Sequence, residues 1–148
     1  GLLLGIAQGL REVGWAKTDV VVSETVGCDS LYQSVKKNEL VTLPAITSVA
    51  KSLGAAQVSP SAFDLTKQWK REGKSPRIHS TTVTDDQAID ACKNFANHHR
   101  ALVEPACGAC LALSYEGKIR EMHNDMNTNG CVVVEVCGGA ITDLSSFV

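Results

Sequence analysis

The run of residues 19–24 constrains the fold more than any other part of the sequence. It contains three consecutive valines, Val20, Val21 and Val22. Apolar residues on consecutive positions are typical of a parallel strand that is covered on both faces, whereas a strand with one wet face alternates. Two further strands are predicted, over 78–83, where apolar and polar residues alternate, and over 131–136.

Helical patterns separate these strands. Leu3, Ile6, Leu10 and Val13 recur at helical spacing ahead of Gly14, and Thr84 with Gln87 forms a capping box before a second apolar stripe. Further helices are predicted over 29–37, 47–53 and 60–71 and from Pro105 onward, and the polar stretch 116–130 leads into the last strand. Strands that alternate with helices in this way predict an α/β domain, with an open, mainly parallel twisted sheet and helices on both faces.

Length, charge and cysteine content narrow the classes of partner. The 148 residues fit one domain, 1–148, and carry a net charge of −2 with no dense basic run. Without a basic surface we expect no nucleic acid as partner, and a small-molecule ligand instead. We also expect no membrane as partner, because no apolar stretch approaches the roughly 18 residues of a spanning helix. The six cysteines lie mostly among Val, Ala and Leu, which indicates reduced thiols and a cytoplasmic location. Cys107 and Cys110 form a C-x-x-C, for which helix packing is a better interpretation than a zinc or redox site.

Ligands of open parallel sheets bind beyond the carboxyl ends of the strands, so the segments that follow strands are the candidates for binding residues. Each candidate also has a purely structural interpretation. Gly1 could be an ordinary turn glycine, Cys137 an inert core thiol, Glu104 a carboxylate at a helix start, and Glu24 a solvated charge. The segments of interest are 1–5, 23–30, 103–109 and 136–139.

Taken together and in this order, these segments resemble the carboxyl-terminal large-domain half of the serine/threonine dehydratases, within the fold-type-II pyridoxal-phosphate enzymes. The stretches that carry the resemblance are GLLLGIAQGLREVGW, VSETVGCDS, LPAITSVAKSLGA, VEPACGA and VCGG. The resemblance implies two α/β domains that close over pyridoxal phosphate, with the Schiff-base lysine on the smaller, earlier domain. That lysine is expected upstream of Gly1, so the resemblance assigns no catalytic residue to this chain, which would then be a partial large domain and inactive alone.

The resemblance also implies two sets of binding residues. Gly1 ends the loop that cradles the phosphate, Cys137 faces the pyridine nitrogen, and the full cofactor-binding set is Gly1, Leu2, Gly54, Glu104, Cys137 and Gly138. Glu24 is the carboxylate of a monovalent-cation site, which favours potassium over zinc because one carboxylate and several carbonyls form an oxygen-rich cage of low charge. The other members of the cation set are the main-chain oxygens of Cys28, Leu53 and Ala55, with Ser30 nearby.

The implied reaction removes water and ammonia from L-serine to give pyruvate, or from L-threonine to give 2-oxobutyrate, and a homodimer is expected. Four residues depart from the family pattern, namely Cys28, Cys110, Glu135 and Ala140. Three alternatives stay open: a serine racemase or threonine synthase-like enzyme of the same fold, a nucleotide-binding module, and a non-catalytic structural piece. The sequence does not distinguish serine from threonine as the preferred substrate.

Overall fold

The computed structural model describes residues 1–72, 76–125, 131–139, 142 and 147. The two strands are β1 (Val20–Thr25) and β2 (Ile78–Val83), and a short 3-10 helix lies at Lys51–Leu53. The α-helices are α1 (Leu2–Glu12), α2 (Ser30–Lys37), α3 (Pro60–Glu72), α4 (Asp85–His99), α5 (Pro105–Tyr115) and α6 (Lys118–Asp125).

The strands β1 and β2 pair in parallel, with Val20 opposite Ile78 and Thr25 opposite Val83. Two helices, α2 and α3, lie in the connection between them, as a parallel pair requires. The valines of β1 are half-buried, whereas Ser23, at the start of its polar end, is fully buried because α5 covers it. The hydroxyl of Ser23 donates to the carbonyl of Ala109 in α5 at 2.6 Å. Both strands therefore end at the same edge, which positions the loops that follow them.

The core lies between α4 and α5, which approach so closely that one position must be glycine. Gly108 of α5 faces Ala88 and Cys92 of α4, and a Cβ added there would stand 2.7 Å from the Cys92 sulfur. Small side chains on both helices allow this approach, and the buried residues of the two helices form the main hydrophobic cluster with Val83 and Val103.

Local signals in the sequence set most helix boundaries correctly. The capping box at the start of α4 is confirmed, since the Thr84 hydroxyl accepts from the Gln87 backbone and the Gln87 side chain accepts from the Thr84 backbone. Pro105 stands in the first turn of α5, as predicted. No helix among the described residues is long and apolar enough to span a membrane.

The prediction of a helix over 47–53 was wrong, because only Lys51–Leu53 is helical and only as a 3-10 turn. Lys51, whose N–H in an α-helix over 47–53 would donate to the carbonyl of Thr47, donates to the carbonyl of Val49 instead. The N–H groups ahead of it bind acceptors that fix a different backbone path. Thr47 donates to the carbonyl of Gly27, Val49 to the Asp85 carboxylate and Ala50 to the Ser48 hydroxyl. Side chains thus compete with the helical pattern and hold the segment as a loop.

Two other expectations need correction near the carboxyl end. The polar stretch 116–130 contains a helix, α6, which was not predicted from its composition. The predicted strand over 131–136 is not observed: among the described residues the only strand pairing is that of β1 with β2. A strand needs a neighbouring ladder, and Val133 of this segment is 86% exposed. The chain is instead held two residues beyond this segment, where the carbonyl of Gly138 accepts a hydrogen bond from the Glu104 backbone.

Candidate functional site at the carboxyl edge of the sheet

Glu24, at the end of β1, is buried and holds the start of α2. Its carboxylate accepts hydrogen bonds from the backbone N–H groups of Leu31 at 3.1 Å and Tyr32 at 2.7 Å. Burial raises the pKa of Glu24 above its ordinary 4.5, against the effect of these two hydrogen bonds, and the nearby charge of Asp29 adds to the rise. The cation ligand that the family resemblance implies here stays a prediction, and what the structure shows is a carboxylate that satisfies a helix N-terminus.

The predicted cation-site residues lie around a contact between two loops. Cys28 is buried, and its thiol lies 3.7 Å from the carbonyl of Ala50. A Cβ added to Gly54 would lie 2.5 Å from the Cys28 sulfur and 2.8 Å from the end of Ile46. Gly54 therefore allows the loop that carries Leu53 and Ala55 to pack on Cys28. The remaining member, Ser30, is buried in the first turn of α2.

A buried polar chain that the sequence did not reveal fixes the same loop. The hydroxyls of Thr25 and Ser48 are 2.7 Å apart, and Ser48 donates to the Asp85 carboxylate at 2.6 Å. The second oxygen of Asp85 accepts from the backbone of Val49 at 3.1 Å. The end of β1, the loop and the start of α4 are thus tied together. The only sequence signal was an acidic residue in the first turn of α4, which has an ordinary explanation in the helix dipole.

Glu104 is the centre of a second cluster. Its carboxylate accepts from the Ser52 hydroxyl at 2.6 Å, and its backbone N–H donates to the carbonyl of Gly138 at 3.0 Å. Its own carbonyl accepts from the thiol of Cys92 at 3.3 Å. The structure therefore joins two predicted cofactor-binding residues, Glu104 and Gly138, and places Ser52, two positions before Gly54, beside them.

Cys137 is exposed, so it is not an inert core thiol. Its sulfur lies 3.1 and 3.2 Å from the two carboxylate oxygens of Glu135. The hydrogen bond to Glu135 is the main cause that raises the pKa of Cys137 to about 11, with desolvation, the charge of Glu135 and the neighbouring Cys107 thiol adding to it. The next residue, Gly138, has φ +125, a conformation that residues with a Cβ rarely adopt. The family departure at Ala140 lies outside the described residues.

Gly1 and Leu2 stand at the open start of α1. Both are exposed, the first turn of α1 contains no acidic residue, and no side chain caps it. Unpaired N–H groups and the positive end of the helix dipole make such a terminus suitable for a phosphate. Among the described residues, no hydrogen bond connects the start of α1 to Glu104, Ser52 or Gly138. The open helix start, the neutral exposed thiol and the left-handed glycine fit the phosphate and ring ends of pyridoxal phosphate.

Neither the C-x-x-C nor the surface depressions provide a competing site. Cys107 is buried, with its thiol 3.5 Å from the carbonyl of Gly138, and Cys110 is half-buried. In the described part of the chain, no group of three or more His, Cys, Asp or Glu side chains could hold a metal ion. Two depressions of about 120 and 210 Å³ lie between α2 and α3 and between α4 and α5, and neither contains a predicted site residue.

Comparison with known proteins places these observations in a family. The sequence profile of the family described as "Pyridoxal-phosphate dependent enzyme" matches residues 1–138. The chain is 40% identical to the L-serine dehydratase/L-threonine deaminase of Bos taurus over 151 aligned residues, which cover 100% of this chain and 44% of that protein. It thus spans about two fifths of the length of that curated relative.

Solved structures agree with this placement. A fungal L-serine ammonia-lyase from Rhizomucor miehei superposes with a TM-score of 0.88 at 33% identity, over 99% of this chain and 44% of that one. Serine racemase from Dictyostelium discoideum superposes with a TM-score of 0.57 at 20% identity, over 72% of this chain and 31% of that one, which indicates a shared fold only. The profile match over nearly the whole sequence is decisive, and the chain belongs to the pyridoxal-phosphate dependent enzyme family.

Proposed function

We propose that the full-length protein containing this chain is a serine/threonine dehydratase, which converts L-serine to pyruvate and ammonia and L-threonine to 2-oxobutyrate and ammonia. The observation that carries the proposal is the exposed thiol of Cys137 directly before Gly138, whose carbonyl accepts a hydrogen bond from the backbone N–H of Glu104. The 40% identity to the bovine L-serine dehydratase/L-threonine deaminase supports it.

The residues of this chain would bind and orient the cofactor rather than transfer protons. When bound, pyridoxal phosphate supplies an electron sink for the charge left on the substrate when its α-proton is removed. The start of α1 at Gly1 and Leu2 would hold the phosphate, and Cys137 would face the pyridine nitrogen. A thiol there is a neutral partner, whereas an aspartate would hold the nitrogen protonated. Gly54, Glu104 and Gly138 would line the ring and its surroundings.

The catalytic lysine is proposed to lie in another part of the full-length protein. A lysine that serves as proton carrier and cofactor anchor needs a lowered pKa, which burial provides. None of the lysines whose burial the structure describes is buried. No catalytic residue is therefore proposed in this chain.

We also propose a potassium site formed by Glu24 with main-chain oxygens of Cys28, Leu53 and Ala55, near Ser30. The contact between Gly54 and Cys28 supports this, because it brings the two contributing loops together. Each carboxylate oxygen of Glu24 accepts one backbone N–H, which leaves lone pairs for an ion. A cation would also offset the burial cost that raises the pKa of Glu24.

The test of the main proposal is product analysis with the full-length protein and bound pyridoxal phosphate. We expect pyruvate from L-serine and 2-oxobutyrate from L-threonine. Pyruvate is measured by its reduction to lactate in a coupled assay. Cys137→Ala should lower kcat/KM, whereas Cys131→Ala, which removes another exposed thiol, should not. Formation of D-serine without keto acid would favour the racemase alternative, and cofactor binding with neither product would refute the dehydratase proposal.

Two further properties of the whole protein are proposed, its location and its oligomeric state. Six free cysteines are consistent with a reducing compartment such as the cytoplasm. A homodimer is proposed from the family resemblance. The proposed small-molecule partner is the amino-acid substrate. Sedimentation of the full-length protein tests the dimer, and fluorescence imaging of the tagged protein tests the location.

A further inference from the structure

Glu135 is a carboxylate beside Cys137 at a position where the family pattern has an apolar residue. In extended chain, residues two apart point to the same side, so Glu135 and Cys137 project together. The Cys137 sulfur lies 3.1 Å from one oxygen of Glu135 and 3.2 Å from the other. Because a carboxylate offers acceptors only, the thiol must be the donor in this pair.

The direction of this hydrogen bond decides what Cys137 can offer to a ligand. Once its single proton points at Glu135, the sulfur has only lone pairs to present elsewhere. The titratable groups that face the thiol are Glu135 and, from α5, the thiol of Cys107, whose own proton goes to the carbonyl of Gly138. Both neighbours oppose the thiolate, and the pKa of Cys137 is raised to about 11.

We propose that Glu135 is a positioning residue that keeps the Cys137 proton directed at its own carboxylate, so that sulfur lone pairs and a nearby negative charge face the pyridine nitrogen of the cofactor. The inference rests on the proposed function for its second half, because the placement of Cys137 against the ring belongs to that proposal. Its consequence is a pyridine nitrogen that is protonated more readily than beside a lone thiol, and hence a stronger electron sink.

The first measurement needs no cofactor. Full-length protein freed of pyridoxal phosphate, with Cys131→Ser to remove the other exposed thiol of this region, is treated with iodoacetamide near neutral pH. Modification of Cys137 is followed by mass spectrometry in the parent, in Glu135→Gln and in Glu39→Gln, which removes an equal charge from an exposed residue after α2. Glu135 is exposed, so its replacement should leave the fold intact, and circular dichroism checks this.

The expected effect follows from two opposing trends. A fall of the pKa from about 11 toward the ordinary 9.0 raises the thiolate fraction, while a less basic thiolate is a weaker nucleophile. With a Brønsted coefficient of about 0.4–0.5, the net gain in alkylation rate is about tenfold for the whole shift and roughly threefold for half of it. Glu39→Gln should alkylate at the parent rate. Equal rates in Glu135→Gln and the parent would overturn the proposal.

The second measurement separates this inference from the proposed function. In the holoenzyme, the visible absorption of the bound cofactor is titrated with pH in the parent and in Glu135→Gln. Loss of the negative charge should move the midpoint to lower pH. Faster alkylation with an unmoved midpoint would show that Cys137 does not face the ring, which overturns the cofactor half of the proposal. If both respond but no keto acid forms from serine, the positioning role stands and the dehydratase assignment fails.

Discussion

Gly108→Ala tests whether the packing of α4 on α5 is as tight as the structure shows. The added methyl group would overlap the backbone carbonyl oxygen of Ala88, stand 2.9 Å from its carbon and lie 2.7 Å from the Cys92 sulfur. Ala88 and Cys92 are 0% exposed, so neither can swing into solvent. A backbone carbonyl within a helix cannot rotate away, and the two helices would have to separate.

The magnitude follows from two opposing effects. Overpacking of a well-filled core costs about 1–3 kcal/mol, and the backbone contact places this case at the upper end. Alanine recovers about 1 kcal/mol through helix propensity, which leaves a net loss of about 2 kcal/mol. We expect a Tm lower by roughly 4–8 °C in thermal unfolding of the full-length protein, provided that this domain unfolds as a unit.

The matched control is Gly9→Ala, at an exposed position inside α1 where an added Cβ meets no atom within 4 Å. The same chemical change should there raise the free energy of unfolding by roughly 0.5–1 kcal/mol. If Gly108→Ala matched Gly9→Ala in sign and size, the close approach of the two helices would be refuted.

Three further predictions concern the loops at the site. Ser48→Ala should cost about 1–3 kcal/mol in the free energy of unfolding, since it breaks a buried hydrogen-bonded chain, whereas the exposed Ser114→Ala should stay within about 0.5 kcal/mol; urea titration measures both. Gly54→Ala should weaken binding of both cofactor and potassium because its methyl would meet the Cys28 sulfur and the end of Ile46. Cys28→Ala in the same protein removes the first of these clashes and should restore part of the binding in fluorescence titrations; no recovery at all would contradict the contact with Cys28. Because the pKa of Glu24 is raised, this carboxyl group binds a proton more tightly in the folded protein than in the unfolded chain. Its contribution to the free energy of unfolding should therefore fall as the pH rises from 4.5 through the raised pKa. Potassium should cancel that fall relative to tetramethylammonium and should have no such effect in Glu24→Gln, as Tm measured against pH will show.

Local chemistry in the sequence was enough for the elements whose signals are themselves local. The capping box at Thr84, the proline that starts α5 and the valine run of β1 each act within a few residues, and the structure has these elements. The segment 47–53 carries a helical pattern too, but hydrogen bonds from Thr47 to Gly27 and from Val49 to Asp85, which are distant in sequence, fix its backbone as a loop. The segment 131–136 has strand composition, yet a strand exists only with a partner ladder.

The candidate site shows the same difference between local signals and contacts that are distant in sequence. Glu24 was identified as important from its motif, but its hydrogen bonds to the start of α2 became visible only in the structure. The pair Ser52 and Glu104 is separated by 52 positions, and the pair Ser48 and Asp85 by 37. No periodicity or short motif predicts a hydrogen bond over such separations. In the sequence Glu135 is visible only as an interruption of an apolar run, because its hydrogen bond with Cys137 depends on the direction of a side chain.

A crystal structure of the full-length protein with pyridoxal phosphate bound would test the proposed cofactor site directly. The phosphate should accept hydrogen bonds from backbone N–H groups in the first turn of α1, at about 3 Å, while the Cys137 sulfur faces the pyridine nitrogen. A cofactor whose phosphate lies away from Gly1, or whose ring nitrogen points away from Cys137, would contradict it.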